Sequence, residues 1–370
     1  MRSNAAARAA AALLLTVVLA GCAATGADPV STPATTSPDP SVVPAASGAL
    51  DCADLAPVGL IAAALQGSAP EPVAPVVAVH PDAVFEAVLL EGVGGLSCSW
   101  RVGAGMPVYN SPSDWAYLRI AVLPDAAADW VPPQGHEGGA APTRPIGDVE
   151  AALLAGDSGW VLSAPVGAHW VQLDLRAAAL TASGGRYRGV DGSTVVERLA
   201  EVAAAAFTTI AAAPADGFGP PLVAVGDPAA ECRGGLAAPG ILDAAEAPPG
   251  AELVAFEREE PAASFDEAVA LRAGTFTCAI VVDGYPATVI RTARGFGGLV
   301  DRFAAPDADR SFVAVVPADV PDGQAVTAYV QETGDIGVRP LAALAVGDSL
   351  HWIDGEHAGA IAQAIVAQTF

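Results

Sequence analysis

Cys52 and Cys98 lie 46 residues apart, and so do Cys232 and Cys278. Four cysteines allow three pairings. Equal separations favour Cys52–Cys98 and Cys232–Cys278, because a chain built twice repeats its bridges in step. Closing a loop of that length stabilises a fold by about 4 kcal/mol in the chain-entropy model when the bridge is unstrained. Zinc is the rival reading of four cysteines, but none of the four forms the close Cys pair that zinc sites use.

Other landmarks repeat with the cysteines. Cys52 follows Asp51 and precedes Leu55-Ala56-Pro57, while Cys232 follows Glu231 and precedes Leu236-Ala237-Ala238-Pro239. Proline suits a first helical turn, where its missing N–H needs no partner, so each first cysteine leads into a helix. Phe85 and Phe265 each stand 13 residues before the second cysteine and open a further helical run. Asp82 and Ser264 are the expected N-caps, with Glu267 completing a capping box. Gly92 and Gly274 are the expected helix ends. L-S-C-S-W and F-T-C-A-I follow as strands, then A-Y-L-R-I-A-V-L and Y-P-A-T-V-I-R-T. His169-Trp170 falls 71 residues after Cys98, and His351-Trp352 falls 73 after Cys278. Asp191-Gly192 and Asp354-Gly355 then open the last helix of each copy. Thr194 and Glu197 read as a capping box in the first, and Asp354 as an N-cap in the second, with Glu356 complementing the helix dipole. Val195, Leu199, Val202, Ala206 and Ile210 hold helical spacing, as Ala358, Ile361, Ile365 and Phe370 do over a shorter run.

These repeats define two homologous units in tandem, at 49–213 and 227–370, joined by a Pro/Gly-rich linker at 214–226. The first unit carries some 19 extra residues, from Val171 to Gly189. Short helices alternate with hairpin-like strands in each. The expected class is α+β: each unit an antiparallel sheet with helices on one face and one disulfide.

The N-terminus sets the compartment. Arg2 and Arg8 precede an apolar run from Ala9 to Ala20, which is too short for a bilayer core of ~30 Å and has the form of an export signal. The run closes on Leu19-Ala20-Gly21-Cys22, which resembles the bacterial lipoprotein signal. That resemblance implies removal of residues 1–21 and acylation of Cys22, anchoring the protein to the lipid bilayer on its extracytoplasmic face. An exported chain meets an oxidising environment, where disulfides persist. Residues 22–48 are mostly Ala, Thr, Ser, Pro and Asp with neither aromatics nor periodicity, the composition of a disordered tether. No charge precedes Cys22 apart from the two arginines, so net −24 for the whole chain becomes −26 from Cys22 onward. Such a polyanion excludes nucleic acid as a partner.

The cysteine arrangement, with Cys98-Ser99-Trp100 in the first copy, resembles a family of actinobacterial envelope lipoproteins. The second copy departs from that pattern at Ala279 and Ile280. The resemblance implies an envelope location and binding of a ligand or protein partner; it implies no reaction.

Little else carries chemistry. Gly156-Asp157-Ser158-Gly159 is similar to the nucleophile segment of trypsin-like proteases, but Trp160 follows and no His sits in the expected setting. A turn explains it, and Gly347-Asp348-Ser349 repeats the tripeptide. There is no G-x-S-x-G, no H-E-x-x-H, no Walker loop and no lysine. His80 and His136 fall at a strand end and in a loop. With 41 acidic residues, carboxylate pairs read as solvated surface. His351, Asp354, Glu356 and His357 read as a strand end and a helix start. Five of six tryptophans, Trp100, Trp115, Trp130, Trp160 and Trp170, lie in the first copy. They fit either a more aromatic core or a binding groove. The expectation is a non-catalytic binding lipoprotein without cofactor or metal. The alternatives are a surface hydrolase and the solute-binding lipoprotein of a transporter.

Overall fold

Each half of the chain forms a seven-stranded antiparallel sheet, and the two sheets have the same strand order. The structure is a computed structural model that describes residues 50–67, 71–73, 82–103, 115–135, 138–156, 159–177, 186–213, 217–222, 232, 236–256, 261–304, 313–315, 326–331 and 340–369. The first unit runs α1 (Cys52–Leu55), α2 (Val58–Ala64), β1 (Glu71–Val73), α3 (Asp82–Gly92), β2 (Leu96–Val102) and β3 (Ala116–Leu123). A 3-10 turn, η1 (Ala127–Asp129), leads to β4 (Thr143–Ile146), β5 (Val149–Gly156), β6 (Gly159–Val166), β7 (His169–Ala177) and α4 (Gly192–Ala212). The second unit repeats the plan: α5 (Ala238–Ala244), β8 (Glu252–Phe256), α6 (Phe265–Arg272), β9 (Phe276–Val282) and β10 (Tyr285–Arg294). Its 3-10 segment η2 (Gly297–Ala304) is followed by β11 (Val313–Val315), β12 (Val326–Gln331), β13 (Leu341–Val346), β14 (Ser349–Asp354) and α7 (Ala358–Thr369). The sheets read β1-β2-β3-β7-β6-β5-β4 and, from the matching edge, β8-β9-β10-β14-β13-β12-β11. Strand by strand the second is the first shifted by seven, which establishes the two-unit α+β architecture.

Alternation along the strands separates two faces. In the first sheet Cys98, Trp100, Leu118, Ile120, Leu162 and Leu173 share an outer core with α1, α2 and α4. Val195, Leu199, Val202, Ala206 and Ile210 of α4 are all buried there, as their spacing requires. The second outer core sets Ile280, Ile290, Leu344 and Ile353 against α5 and α7. Each disulfide closes within its own unit, over Cα separations of 5.4 Å for Cys52–Cys98 and 5.9 Å for Cys232–Cys278. The first ties α1 to β2 and the second ties Cys232, ahead of α5, to β9, in each case the second strand of the sheet.

The inner faces meet in a third core that draws on both units. Phe85, Val88 and Leu89 of α3, Phe265 and Val269 of α6, and Phe296, Val300 and Phe303 of η2 and its approach fill it, with Trp170 below and Trp352 above. Helices therefore cover both faces of each sheet, not one. The sequence left open whether the two units pack together; residues 46–370 form one compact body.

Several expectations about ends are corrected. Asp191, not Thr194, caps α4, its carboxylate accepting from the Ser193 N–H at 2.8 Å. Gly274 follows α6 with φ +59, but its counterpart after α3 is Gly94 with φ +80, not Gly92. Gly92 instead lets α3 approach η2, since a Cβ there would lie 2.2 Å from the Phe296 ring. Ser264 does cap α6, while Glu267 accepts from Ala263, one residue before the cap. β14 extends to Asp354 and α7 starts at Ala358, so Asp354 is not an N-cap. Finally, the His-Trp pairs are not equivalent. The hairpin turns align as Val166-Gly167-Ala168 and Val346-Gly347-Asp348, each glycine at φ +59. The carbonyl of Ala168 accepts from Ala127 and that of Asp348 from Gly297, the same bond in each unit. His169 thus matches Ser349. A slip of two residues keeps both tryptophans on the inner face.

Candidate functional site

Two acids occupy matching positions on the inner helices, each one residue after a repeated phenylalanine: Glu86 after Phe85, and Asp266 after Phe265. An arginine of the opposite unit pairs with the first acid, and another acts on the second through its charge. Arg291 of β10 donates from Nη1 to Glu86 Oε1 at 2.5 Å. Arg119 of β3 is 6% exposed, and the strongest opposite charge acting on it is Asp266. The second Glu86 oxygen, Oε2, is buried with no hydrogen-bond partner, as is Arg119 Nη2. Among the described residues no hydrogen bond or ion pair reaches Asp266 at contact distance.

Burial costs a charged carboxyl its hydration. That cost raises the Glu86 pKa to about 7, against the lowering pull of Arg291 and with a further upward push from Asp266. Asp266 is exposed to solvent; the protein packed around its carboxyl still raises its pKa, although Arg119 opposes it. Burial by itself would lower the Arg119 guanidinium; Asp266, Tyr117, Asp174 and Glu86 outweigh it and hold the group above its usual range.

A recess of about 330 Å³ opens beside these groups. α3 contributes Phe85, Glu86 and Leu89; α6 contributes Asp266 and Glu267; the second sheet contributes Arg291 on the floor. Phe256 stands on the wall with 47% of its surface exposed. The lining thus holds three carboxylates and one guanidinium, and that guanidinium is engaged by Glu86. Arg119 lies behind the recess on a polar inner face. There its Nε donates to Ser97 Oγ at 3.1 Å, and the Ser99 and Tyr117 hydroxyls meet at 3.0 Å.

The tryptophans do not gather at this recess. Trp100 and Trp160 lie in the first outer core, Trp160 beside Tyr187 from the inserted segment. Trp130 and Trp170 both donate to the Ser163 hydroxyl, at 3.1 and 2.8 Å. Trp115 packs with Tyr117, its indole nitrogen unpartnered. His351 is buried at 2.8 Å from Thr292 on the outer face, and desolvation, aided by Arg294, lowers its pKa to about 4. His169 packs against Phe218 with rings tilted and centroids 4.7 Å apart, and burial lowers its pKa. Gly156 pairs with Gly159 across adjacent strands. Cys22, His80, His136, Asp157 and Ser158 lie outside the described residues. No group of three or more metal-ligating side chains occurs among the described residues, nor any helix long and apolar enough to cross a membrane.

Sequence reading passed over Glu86, Asp266, Arg119 and Arg291. Their one signal was the acid following each repeated Phe, which the abundance of acids concealed. Comparison with protein families, curated proteins and solved structures found no match.

Proposed function

We propose that this protein is a membrane-anchored lipoprotein of the cell envelope that holds a small, cation-bearing ligand in the recess between its units, without catalysing a reaction. One observation carries the ligand reading. The recess presents a buried acceptor without a donor, Glu86 Oε2, beside a solvent-exposed carboxylate, Asp266. A protonated amine or guanidinium supplies the missing donors, and Phe85, Leu89 and Phe256 offer apolar and aromatic surface to the rest of such a molecule. The volume suits a small ligand. A transporter receptor that closes around solute needs lobes that move apart, and the shared central core disfavours that alternative. The lipobox-like Leu19-Ala20-Gly21-Cys22 supports the anchor.

Agmatine is the probe for the recess. It is expected to raise the melting temperature of the wild type and to leave Asp266→Asn unmoved; an equal response from both, or none from either, removes the ligand reading. Cys22→Ala is expected to shift the protein from the membrane fraction to the aqueous one, and its retention in the membrane counts against the anchor. A surface hydrolase is the second reading, favoured because a carboxyl held near 7 beside another carboxyl has the property of a general acid. Turnover of chromogenic glycosides or esters that Glu86→Gln abolishes selects it.

A further inference from the structure

We propose that the inner face of each unit is a self-complementary docking surface whose partner is a second unit of its own kind, so that the chain is a symmetric dimer joined end to end. Tandem duplicates need not pack this way. Repeats stacked head to tail use two different surfaces, one for each neighbour. Here each unit uses the same surface.

The contacts are reciprocal. Phe85 of the first unit stacks on Trp352 of the second, with ring centroids 5.9 Å apart, and Phe265 of the second meets Trp170 of the first edge-on at 5.6 Å. Glu86 of the first unit binds Arg291 of the second; Asp266 of the second feels the charge of Arg119 of the first, with no contact between them among the described residues. In each direction the helix before the second strand supplies an aromatic ring and an acid. In each direction the opposing sheet supplies a tryptophan from its seventh strand and an arginine from its third. Contact of i with j matched by contact of j with i is the mark of an isologous, two-fold interface; here the match is in residue type and strand, since Trp352 and Arg291 each stand two residues further along their strands than Trp170 and Arg119.

Complementarity of residue type survives exchange. Two copies of the second unit would set Phe265 against Trp352 and Asp266 against Arg291. Two copies of the first would set Phe85 against Trp170 and Glu86 against Arg119. Up to Leu222 the chain is held to the first unit: Phe218 packs against His169 with rings tilted, and the Leu222 N–H donates to the Gly92 carbonyl at 2.7 Å. Both disulfides are internal to their units. A single cut between Leu222 and Cys232 therefore leaves no covalent bond between the halves.

The test uses the full chain with a protease recognition sequence inserted at 223–230, cleaved after folding and weighed by native mass spectrometry. The cut protein is expected to keep the mass of the intact chain, with one fragment of each kind. After partial denaturation and return to buffer, pairs of two first fragments and two second fragments are expected beside the mixed pair. A cut Phe85→Ala/Phe265→Ala variant is expected to separate at concentrations where the cut parent stays paired. Fragments of the parent that separate as soon as they are cut overturn the docking surface. Exclusive recovery of mixed pairs overturns its self-complementarity.

Discussion

Glu86 and His351 give the protein opposite responses to pH. The Glu86 pKa rises on folding from 4.5 to about 7. The folded state therefore favours the protonated carboxyl. Its stabilising contribution is complete below about 4.5 and is lost as pH climbs through 7. A shift of that size corresponds to about 3 kcal/mol, for a side chain only 17% exposed. His351 falls from 6.5 to about 4, so its contribution is present above 6.5 and is lost as pH drops through 4. Thermal melts between pH 5 and 8 should show Glu86→Gln losing less stability than the wild type as pH rises; parallel curves would contradict the assignment. Two glycines offer a sharper steric contrast. A methyl group at Gly92 would run into the Phe296 ring, whereas nothing lies within 4 Å of a Cβ at Gly59 in α2. Gly92→Ala is expected to cost about 1–3 kcal/mol through overpacking. Gly59→Ala is expected to gain up to about 1 kcal/mol from helix propensity. Chemical denaturation of the two variants checks both signs.

Helices and strands were legible wherever a local rule governs them, and were misread where a tertiary contact does. The spacing of Val195, Leu199 and Val202 located α4 because one face must enter a core, and all three are buried. Its cap was misplaced because Thr194 and Glu197 satisfy the same sequence pattern as Asp191, and only backbone geometry chooses between them. Asp191→Ala should therefore cost about 1 kcal/mol, while Thr194→Ala should stay within about 0.5 kcal/mol. Equal losses in urea melts would show that the carboxylate at 2.8 Å from the Ser193 amide does not support the helix. The His-Trp pairs misled for a related reason. A two-residue slip along a strand preserves which face a side chain takes, so two unequal registers both put Trp inward. The charged recess left no periodic trace at all. Its acids stand on α3 and α6 and its arginines on β3 and β10, and the one bonded pair, Glu86 with Arg291, is 205 residues apart along the chain. Sequence spacing reports contacts within a helix or a hairpin; it does not report which faces of two units will meet.

A protein with one outer core per unit and a core in common ought to unfold as a single body. The central core takes Phe85, Val88 and Leu89 from the first unit and Phe265, Phe296 and Phe303 from the second. The Arg272 guanidinium adds a bond to the Asp125 carbonyl at 3.1 Å across the same boundary. Exposing the inner face of either unit strips the other of its cover, at about 25 cal/mol for each Å² of apolar surface returned to water. Neither unit then has a reason to remain folded once its partner has opened. The second disulfide makes this measurable. Replacing Cys232 and Cys278 by Ala releases a loop entirely inside the second unit and should remove about 4 kcal/mol. If the units were independent, calorimetry would show a second-unit transition moving down alone, with the first unit melting where it did before. Coupling through the shared core requires instead one transition that moves down as a whole, by about 6 °C for a protein of this size, with calorimetric and van't Hoff enthalpies still in agreement. Two resolved transitions in that variant would falsify the coupling and reduce the central core to a contact between bodies that fold alone.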